Sequence, residues 1–252
     1  MTVRSNLAAA IRRKLKAAIW HLPTSLSGSL QGTVDLLQAD KYECSLCGYQ
    51  GRFWPFGDPP RRGAQCGNCD SVERHRLLAL WLDENVDLIR GAQILHFAPE
   101  LSVGNLLRRQ SRVYMSADLN PCAADRVLNI ENVDLPDASV DVVVCSHVLE
   151  YVDDVKALRE IYRILSPSGL ALLMFPIVEG WERTYENPAF TSASDQFRYF
   201  GLAGHVRMYG RDVRDRITDA GFGLAEFTAE EPNVARYGLL RGEKIFVAKK
   251  GK

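Results

Sequence analysis

Residues 135–169, LPDASVDVVVCSHVLEYVDDVKALREIYRILSPSG, decide how the chain folds. Val140, Val142, Val143 and Val144 form a β-branched run of the kind buried on both faces of a parallel sheet. Asp153 or Asp154 can cap the helical stretch beyond the loop. In it Val155, Leu158, Ile161, Tyr162 and Leu165 recur at helical spacing until Pro167 and Gly169 stop the pattern. A buried strand running through a short loop into an amphipathic helix is one βα unit of a doubly wound sheet. Cys145, Ser146 and His147 fall just beyond the strand's carboxyl end, where such sheets bind ligands.

Outward from that unit the alternation continues. The pattern predicts strands over 93–98, 113–117, 126–130, 140–145 and 169–176, and helices over 101–109 and 211–220. FGLAEFT and KIFVAKK near the end read as two closing strands. The fold class expected is α/β, with a mostly parallel sheet. At 252 residues the chain suits one full domain plus a small appendage, and 46% hydrophobic with 25% charged residues is ordinary for a globular protein. Lys plus Arg and Asp plus Glu both number 31, so net charge gives no argument for nucleic-acid binding. No apolar run reaches the length of a membrane span.

Charge is unevenly placed, however. No acid precedes Asp35, while Arg4, Arg12, Arg13, Lys14 and Lys16 crowd the start. Leu7, Ile11, Leu15, Ile19 and Leu22 add an apolar stripe, so residues 1–22 read as a basic amphipathic helix within an N-terminal segment at 1–38. Such a helix either docks on an anionic membrane surface or packs on the domain or a partner. The apolar stretch is too short for a signal peptide, so a cytoplasmic protein, with weak peripheral membrane contact as the alternative, is expected.

Cys44, Cys47, Cys66 and Cys69 make C-x2-C-x18-C-x2-C, a spacing expected of a four-cysteine zinc site. Each C-x2-C presents two thiolates to one tetrahedral ion, with Gly48 and Gly67 easing the turns. Reduced thiols in the cytosol argue against the disulfide alternative. Four thiolates leave no open coordination position, so the Zn2+ would be structural and residues 39–72 a zinc-ribbon-like subdomain. His75 could replace a cysteine but reads as the start of the helix over 72–82. Arg74, His75 and Arg76 there form a basic cluster, by default a solvated or ion-paired helix face, with a substrate-phosphate contact as the alternative.

The wording of 135–169 closely resembles the fourth-strand region of class I S-adenosylmethionine-dependent methyltransferases, of the type 11-like kind. There the text runs LPF-x-D-x-SFD, then an apolar strand, then an HVLEH-like loop. The resemblance extends from about Gly91 to the C-terminus, making 73–252 a methyltransferase domain. It implies a Rossmann-like, seven-stranded, mostly parallel sheet and S-adenosyl-L-methionine as cofactor. Carried over residue by residue, the loop after the first strand contributes His96, Phe97, Ala98 and Glu100, although HFAPELSVG departs from the family's E/D-x-G-x-G-x-G. Asp118 ends the second strand at close to the roughly 20-residue spacing that places an acid on the ribose hydroxyls. A turn aspartate before Asn120-Pro121 is its bland alternative. Leu119 beside Asp118 is a further cofactor-binding candidate. Ile130 and Glu131 match the region flanking the adenine, and Cys145, Ser146 and His147 the methionine side, with an oriented loop histidine that transfers no proton as the alternative for His147.

The segment over 177–209 is long and of mixed polarity, as a lid and acceptor-binding wall would be. Its FG-x-x-x-HVR-x-YG text resembles a subgroup of bacterial methyltransferases, some linked to surface glycans, which implies a small-molecule or glycan acceptor and O-methylation. His205 is the candidate base there and Arg207 a candidate anion clamp, the alternative being that both only pin the lid, while Tyr185 and Tyr209 are candidates for lining or for core packing. Two readings compete with a methyltransferase of EC class 2.1.1.-. The first is an inactive binding module with an eroded glycine loop. The second is a nucleic-acid methyltransferase whose ribbon touches its substrate, against which stands the absence of an Asn-Pro-Pro-Tyr-like tetrad after the fourth strand.

Overall fold

A computed structural model describes residues 41–251. The expected basic helix at 1–22, and the rest of the segment to 38, lie outside the described residues. The order of elements begins with four short strands, β1 (Tyr42–Glu43), β2 (Gln50–Gly51), β3 (Trp54–Phe56) and β4 (Arg61–Gln65). β1 pairs with β2 and β3 with β4, each pair antiparallel. Helices α1 (Glu73–Glu84) and α2 (Val86–Ile89) then lead to strand β5 (Gln93–Phe97). Next come α3 (Leu101–Gln110), β6 (Val113–Asp118), β7 (Arg126–Val127), β8 (Val140–Ser146), α4 (Asp154–Ile164) and β9 (Leu165–Met174). The last third holds β10 (Tyr185–Glu186), α5 (Ala193–Phe200), β11 (Arg207–Met208), α6 (Val213–Asp219), β12 (Gly223–Phe227), α7 (Asn233–Tyr237) and β13 (Ile245–Lys249).

Seven strands form one sheet in the order β12-β13-β9-β8-β5-β6-β7. β5 to β9 pair in parallel, while β13 runs antiparallel to both β9 and β12. This is the Rossmann-like sheet expected from the sequence. The valine run explains the centre. Val142 and Val144 face one apolar cluster with Leu77, Leu78, Leu107 and Ile245, and Val143 and Cys145 face the other with Leu158, Ile161 and Phe246. Fully burying a side chain of this size contributes about 1.5–3 kcal/mol, and β8 does so on both faces. Asp153 caps α4, its carboxylate accepting from the Lys156 N–H at 3.1 Å.

Three boundaries differ from the sequence pattern. β9 starts at Leu165 rather than Gly169, because the pairing jumps from Val140–Leu165 to Val142–Leu170 and bulges out the SPSG stretch. Asp141 holds that bulge by accepting from Ser166 Oγ at 2.9 Å. The third strand is only Arg126–Val127, since the Asn129 side chain accepts the Glu131 N–H at 2.9 Å and turns the chain. Between β12 and β13 lies α7, too short for its periodicity to stand out in the sequence. Among the described residues no helix is long and apolar enough to cross a membrane.

Candidate functional site

The order of the sheet reverses between β5 and β8, so their carboxyl ends diverge there and open a crevice. A cavity of about 400 Å³ fills it. Phe97 and Ala98 after β5, Asp118 and Leu119 after β6, Ile130, and His147 after β8 all line it. These are six of the eleven residues expected to hold a cofactor. Leu128, Asn129, Val148, Tyr151 and Val152 also line it and were not anticipated. For Val148, Tyr151 and Val152 a signal existed, since they sit within the HVLEYVDD loop itself.

Ala98 shows how the loop works without the family's glycines. It adopts φ 47, a left-handed conformation that side chains disfavour, and its N–H bonds the Ala117 carbonyl at 2.9 Å. The backbone thus turns away from β5 beside the cavity, and no side chain larger than a methyl intrudes. Asp118 serves two purposes. Its Oδ1 accepts the Asn120 N–H at 2.8 Å, the turn role, while the residue remains half-buried against the cavity. The lining therefore fits a nucleoside: an acid for a ribose diol beside an apolar slot of Leu119, Leu128, Ile130, Val148 and Val152.

Five expected cofactor residues lie elsewhere. The His96 side chain shares the Ile94 face of β5, fully buried, with Nδ1 3.0 Å from Tyr114 Oη and Nε2 3.1 Å from Glu100 Oε2. Glu100 is drawn to the same side, since His75 Nε2 lies 3.3 Å and Arg74 Nε 3.5 Å from its Oε1. Burial pushes the Glu100 carboxyl up, but the contacts from His75 and His96 outweigh it and hold it well below the usual carboxylate range. Glu131 accepts the Asp153 N–H at 2.8 Å. Cys145 is sealed in the core, where burial pushes its thiol up, and Ser146 is also buried.

His147 has a special position. It too adopts a positive φ, 54, and its N–H bonds the Met174 carbonyl at 2.8 Å, tying the ends of β8 and β9. Its Nδ1 lies 3.2 Å from Oε1 of Glu150 without hydrogen-bond alignment, and the buried Glu150 carboxylate has no hydrogen-bond partner among the described residues. His147 also lines a second cavity, of about 430 Å³. That cleft runs between the four-cysteine subdomain (Phe56, Arg61), the start of α1 (Glu73, Arg74), the end of β9, and the loop before β13 (Leu240–Lys244). No motif or spacing in the sequence signals that these segments meet.

The segment expected as a lid is docked on the loop after β8. β10 pairs with β11, and Arg207 donates to the Leu149 and Val152 carbonyls at 2.6 and 2.5 Å and to Glu186. Tyr209 Oη donates to Asp154 at 3.0 Å. Both side chains pin the loop after β8, and neither lines a described cavity. His205 lies behind Tyr151, edge-on at 4.6 Å between centroids, with Nδ1 3.3 Å from the Phe200 carbonyl. It is 7% exposed, and burial lowers its pKa. The structure therefore does not bring His205 to the cavity wall; Tyr151 stands between. Tyr185 lies on β10 beside Trp181 and Phe200.

In the N-terminal subdomain the four expected sulfurs converge. One ligand atom from each of Cys44, Cys47, Cys66 and Cys69 lies within 4.8 Å of the others. Cys44 and Cys69 Sγ are 3.6 Å apart, and Cys47 and Cys66 Sγ 3.8 Å. A disulfide needs about 2.05 Å. A tetrahedron with metal–sulfur bonds of about 2.3 Å has edges near 3.8 Å, which these two separations match. Ser71 Oγ sits 3.2 Å from both Cys44 and Cys69, and the Asn68 N–H points at Cys66 Sγ at 3.4 Å, contacts that steady thiolates. Arg76 is fully buried beside the cluster, donating to the carbonyls of Ala64, Ser71, Tyr237 and Gly238 and stacking 4.7 Å over Phe53.

Comparison with known proteins agrees with this geometry. Residues 105–173, from within α3 to β9, match the family described as "Methyltransferase domain". The ubiquinone/menaquinone biosynthesis C-methyltransferase UbiE of Escherichia coli O1:K1 / APEC is 32% identical over 115 residues, covering 39% of this chain and 45% of that protein. UbiE of Escherichia coli O45:K1 (strain S88 / ExPEC) matches equally. The chain thus spans less than half the length of the curated relatives it matches. Among solved structures, the YcgJ protein of Bacillus subtilis aligns over 71% of this chain and 99% of its own, with TM-score 0.51 and 13% identity. A chain from the complex of the Haloferax volcanii Trm112 methyltransferase activator aligns over 71% and 91%, with TM-score 0.52 and 16% identity. Those two likenesses speak for the fold. With the sheet order, they show a Rossmann-like fold of the kind found in methyltransferases, and its central segment at 105–173 is similar to the methyltransferase domain.

Proposed function

We propose that the protein transfers a methyl group from S-adenosyl-L-methionine to a hydroxyl of a small-molecule or glycan acceptor, and that Cys44, Cys47, Cys66 and Cys69 hold a structural Zn2+. The observation that carries the reading is His147, which lines both the nucleoside-shaped cavity and the cleft beside it, so donor and acceptor would meet there. When bound, the cofactor supplies a methyl group on a sulfonium, whose departing sulfur needs no proton. Asp118 accepts hydrogen bonds from the ribose, and Leu119, Ile130 and Val152 shield the base from water. His147, held in place by its N–H on the Met174 carbonyl and with Nδ1 3.2 Å from Glu150, receives the acceptor's proton.

Calorimetric titration of the zinc-loaded protein with S-adenosylmethionine tests this reading, and folded protein that binds none would overturn it. Replacing Asp118 by Ala is expected to weaken that binding at least tenfold, because charge-assisted hydrogen bonds contribute ~1.5–3 kcal/mol each.

A further inference from the structure

The cleft shared with His147 has a distinctive wall. Its floor is apolar, formed by Met174, Phe175, Pro176 and Ile177, and at its sides Phe56 and Leu240 are 41% and 43% exposed. Four cations line it, Arg61, Arg74, Arg241 and Lys244, against two acids, Glu73 and Glu243. Most of these are committed to each other or to outside partners. Arg61 grips Glu73 through two hydrogen bonds of 2.9 and 3.0 Å, Lys244 pairs with Glu226 at 2.9 Å, and Arg241 pairs with Glu231. Two are less so. Arg74 faces Glu100 only through Nε, sealed from solvent at 3.5 Å with no hydrogen bond, and its two terminal amino groups have no partner among the described residues. Glu243 Oε2 is likewise sealed and without a partner among them.

We propose that this cleft is the acceptor site, and that Arg74 and Glu243 select an acceptor carrying an anionic group and a hydroxyl on a largely apolar body, as an aromatic hydroxy acid does. The inference rests on the methyltransferase reading. A guanidinium whose terminal amino groups are unpartnered beside an apolar floor favours a carboxylate or phosphate over a neutral sugar, since Arg pairs such groups bidentately. An uncommitted carboxyl is a ready partner for a hydroxyl, and its burial makes leaving it unmatched costly. The four-cysteine subdomain then acts as one wall of the substrate site, because Arg61 and Phe56 belong to it. The segment at 177–209 contributes only Ile177.

Acidity follows from the same surroundings. Burial and then the charge of Glu73 push the Glu243 carboxyl up to about 7, against the opposing effects of His147, Arg74 and Arg61. Arg241 and Lys244 from its own loop also face the cleft, paired outward. Below that pH the carboxyl is neutral and tolerates an anion beside it; above it, Glu243 repels one. Affinity for a hydroxy acid should therefore fall as pH rises through neutrality.

The chain offers a direct probe, because it has four methionines, of which Met174 floors the cleft and Met208 lies on β11 in the expected lid. Full-length protein labelled at its methionine methyls and loaded with S-adenosylhomocysteine is titrated with protocatechuate and with catechol, its carboxylate-free analogue. Met174→Leu assigns the key signal. The expected result is a shift of Met174 but not Met208, and tighter binding of protocatechuate than of catechol. Arg74→Gln should weaken protocatechuate roughly tenfold, and Glu243→Gln should abolish the pH dependence of its binding, with cofactor affinity in calorimetry unchanged for Glu243→Gln. An unmoved Met174, movement of Met208 instead, or equal affinities for the two probes would overturn the proposal. Failure of the wild-type protein to bind S-adenosylmethionine overturns the methyltransferase reading instead, and the probe titration of unloaded protein still decides the cleft.

Discussion

Ala98 sits where the backbone needs a residue that tolerates positive φ, and it carries the smallest side chain other than glycine. Holding an L-residue there costs about 1–2 kcal/mol, and a β-branched side chain costs more. Ala98→Gly is therefore expected to unfold in urea within about 1 kcal/mol of the parent, the relief of strain offsetting the added chain entropy. Ala98→Val should be destabilised by about 2 kcal/mol or more and lose cofactor binding. An Ala98→Val variant as stable as the parent would contradict the strained turn. The loop's location was legible, because a strand followed by a small residue and a proline stands out in the sequence. That Ala98 takes a glycine's conformation was not, since nothing about alanine announces its φ. The same reading put His96 in the cofactor site, yet side chains alternate along a strand, and Phe97 takes the face that lines the cavity.

At the scale of elements, helix α1 is fastened through Arg76. Its guanidinium satisfies carbonyls from β4, from the turn after the last cysteine of the cluster, and from the end of α7. Arg76→Met would keep much of the apolar stem and leave four carbonyls without donors. The expected loss is about 3–5 kcal/mol in urea denaturation, with residues 41–65 exchanging their amide hydrogens fastest. A loss under ~1 kcal/mol would show that apolar packing alone holds the subdomain. The helical pattern located α1 correctly but made Arg76 part of a charged helix face. Periodicity reports which positions repeat and cannot tell that other segments will bury one of them. The lid illustrates the same limit. Its length and mixed polarity were visible, while the hydrogen bonds of Arg207 to the loop after β8 depend on contacts more than fifty residues apart.

Across the whole molecule, the sheet and its switch point were readable because each βα unit carries its own local pattern, and the valine run of β8 marks the centre. The four cysteines were readable for the same reason. Local patterns omit where the small subdomain rests, and it rests at the carboxyl edge of the sheet, beside the cleft. Stripping metal with a chelator is expected to leave the seven-stranded sheet folded while residues 41–72 become sensitive to protease, as far-UV dichroism and limited proteolysis would show. Continued protease resistance after complete metal loss would mean that the sulfur cluster does not hold the subdomain together.

The Glu100 carboxylate has a consequence at this scale. Its partners His75 and Arg74 belong to the first turn of α1, just past Cys69, while the residue itself opens α3 immediately after the cavity-lining loop at Ala98. A metal at the sulfurs and a cofactor in the crevice would thus both bear on one shared carboxylate. Linkage makes the traffic reciprocal: whatever factor zinc adds to cofactor affinity, bound cofactor must add to zinc affinity. Protein deprived of its methyl donor would then be the form that surrenders its metal first.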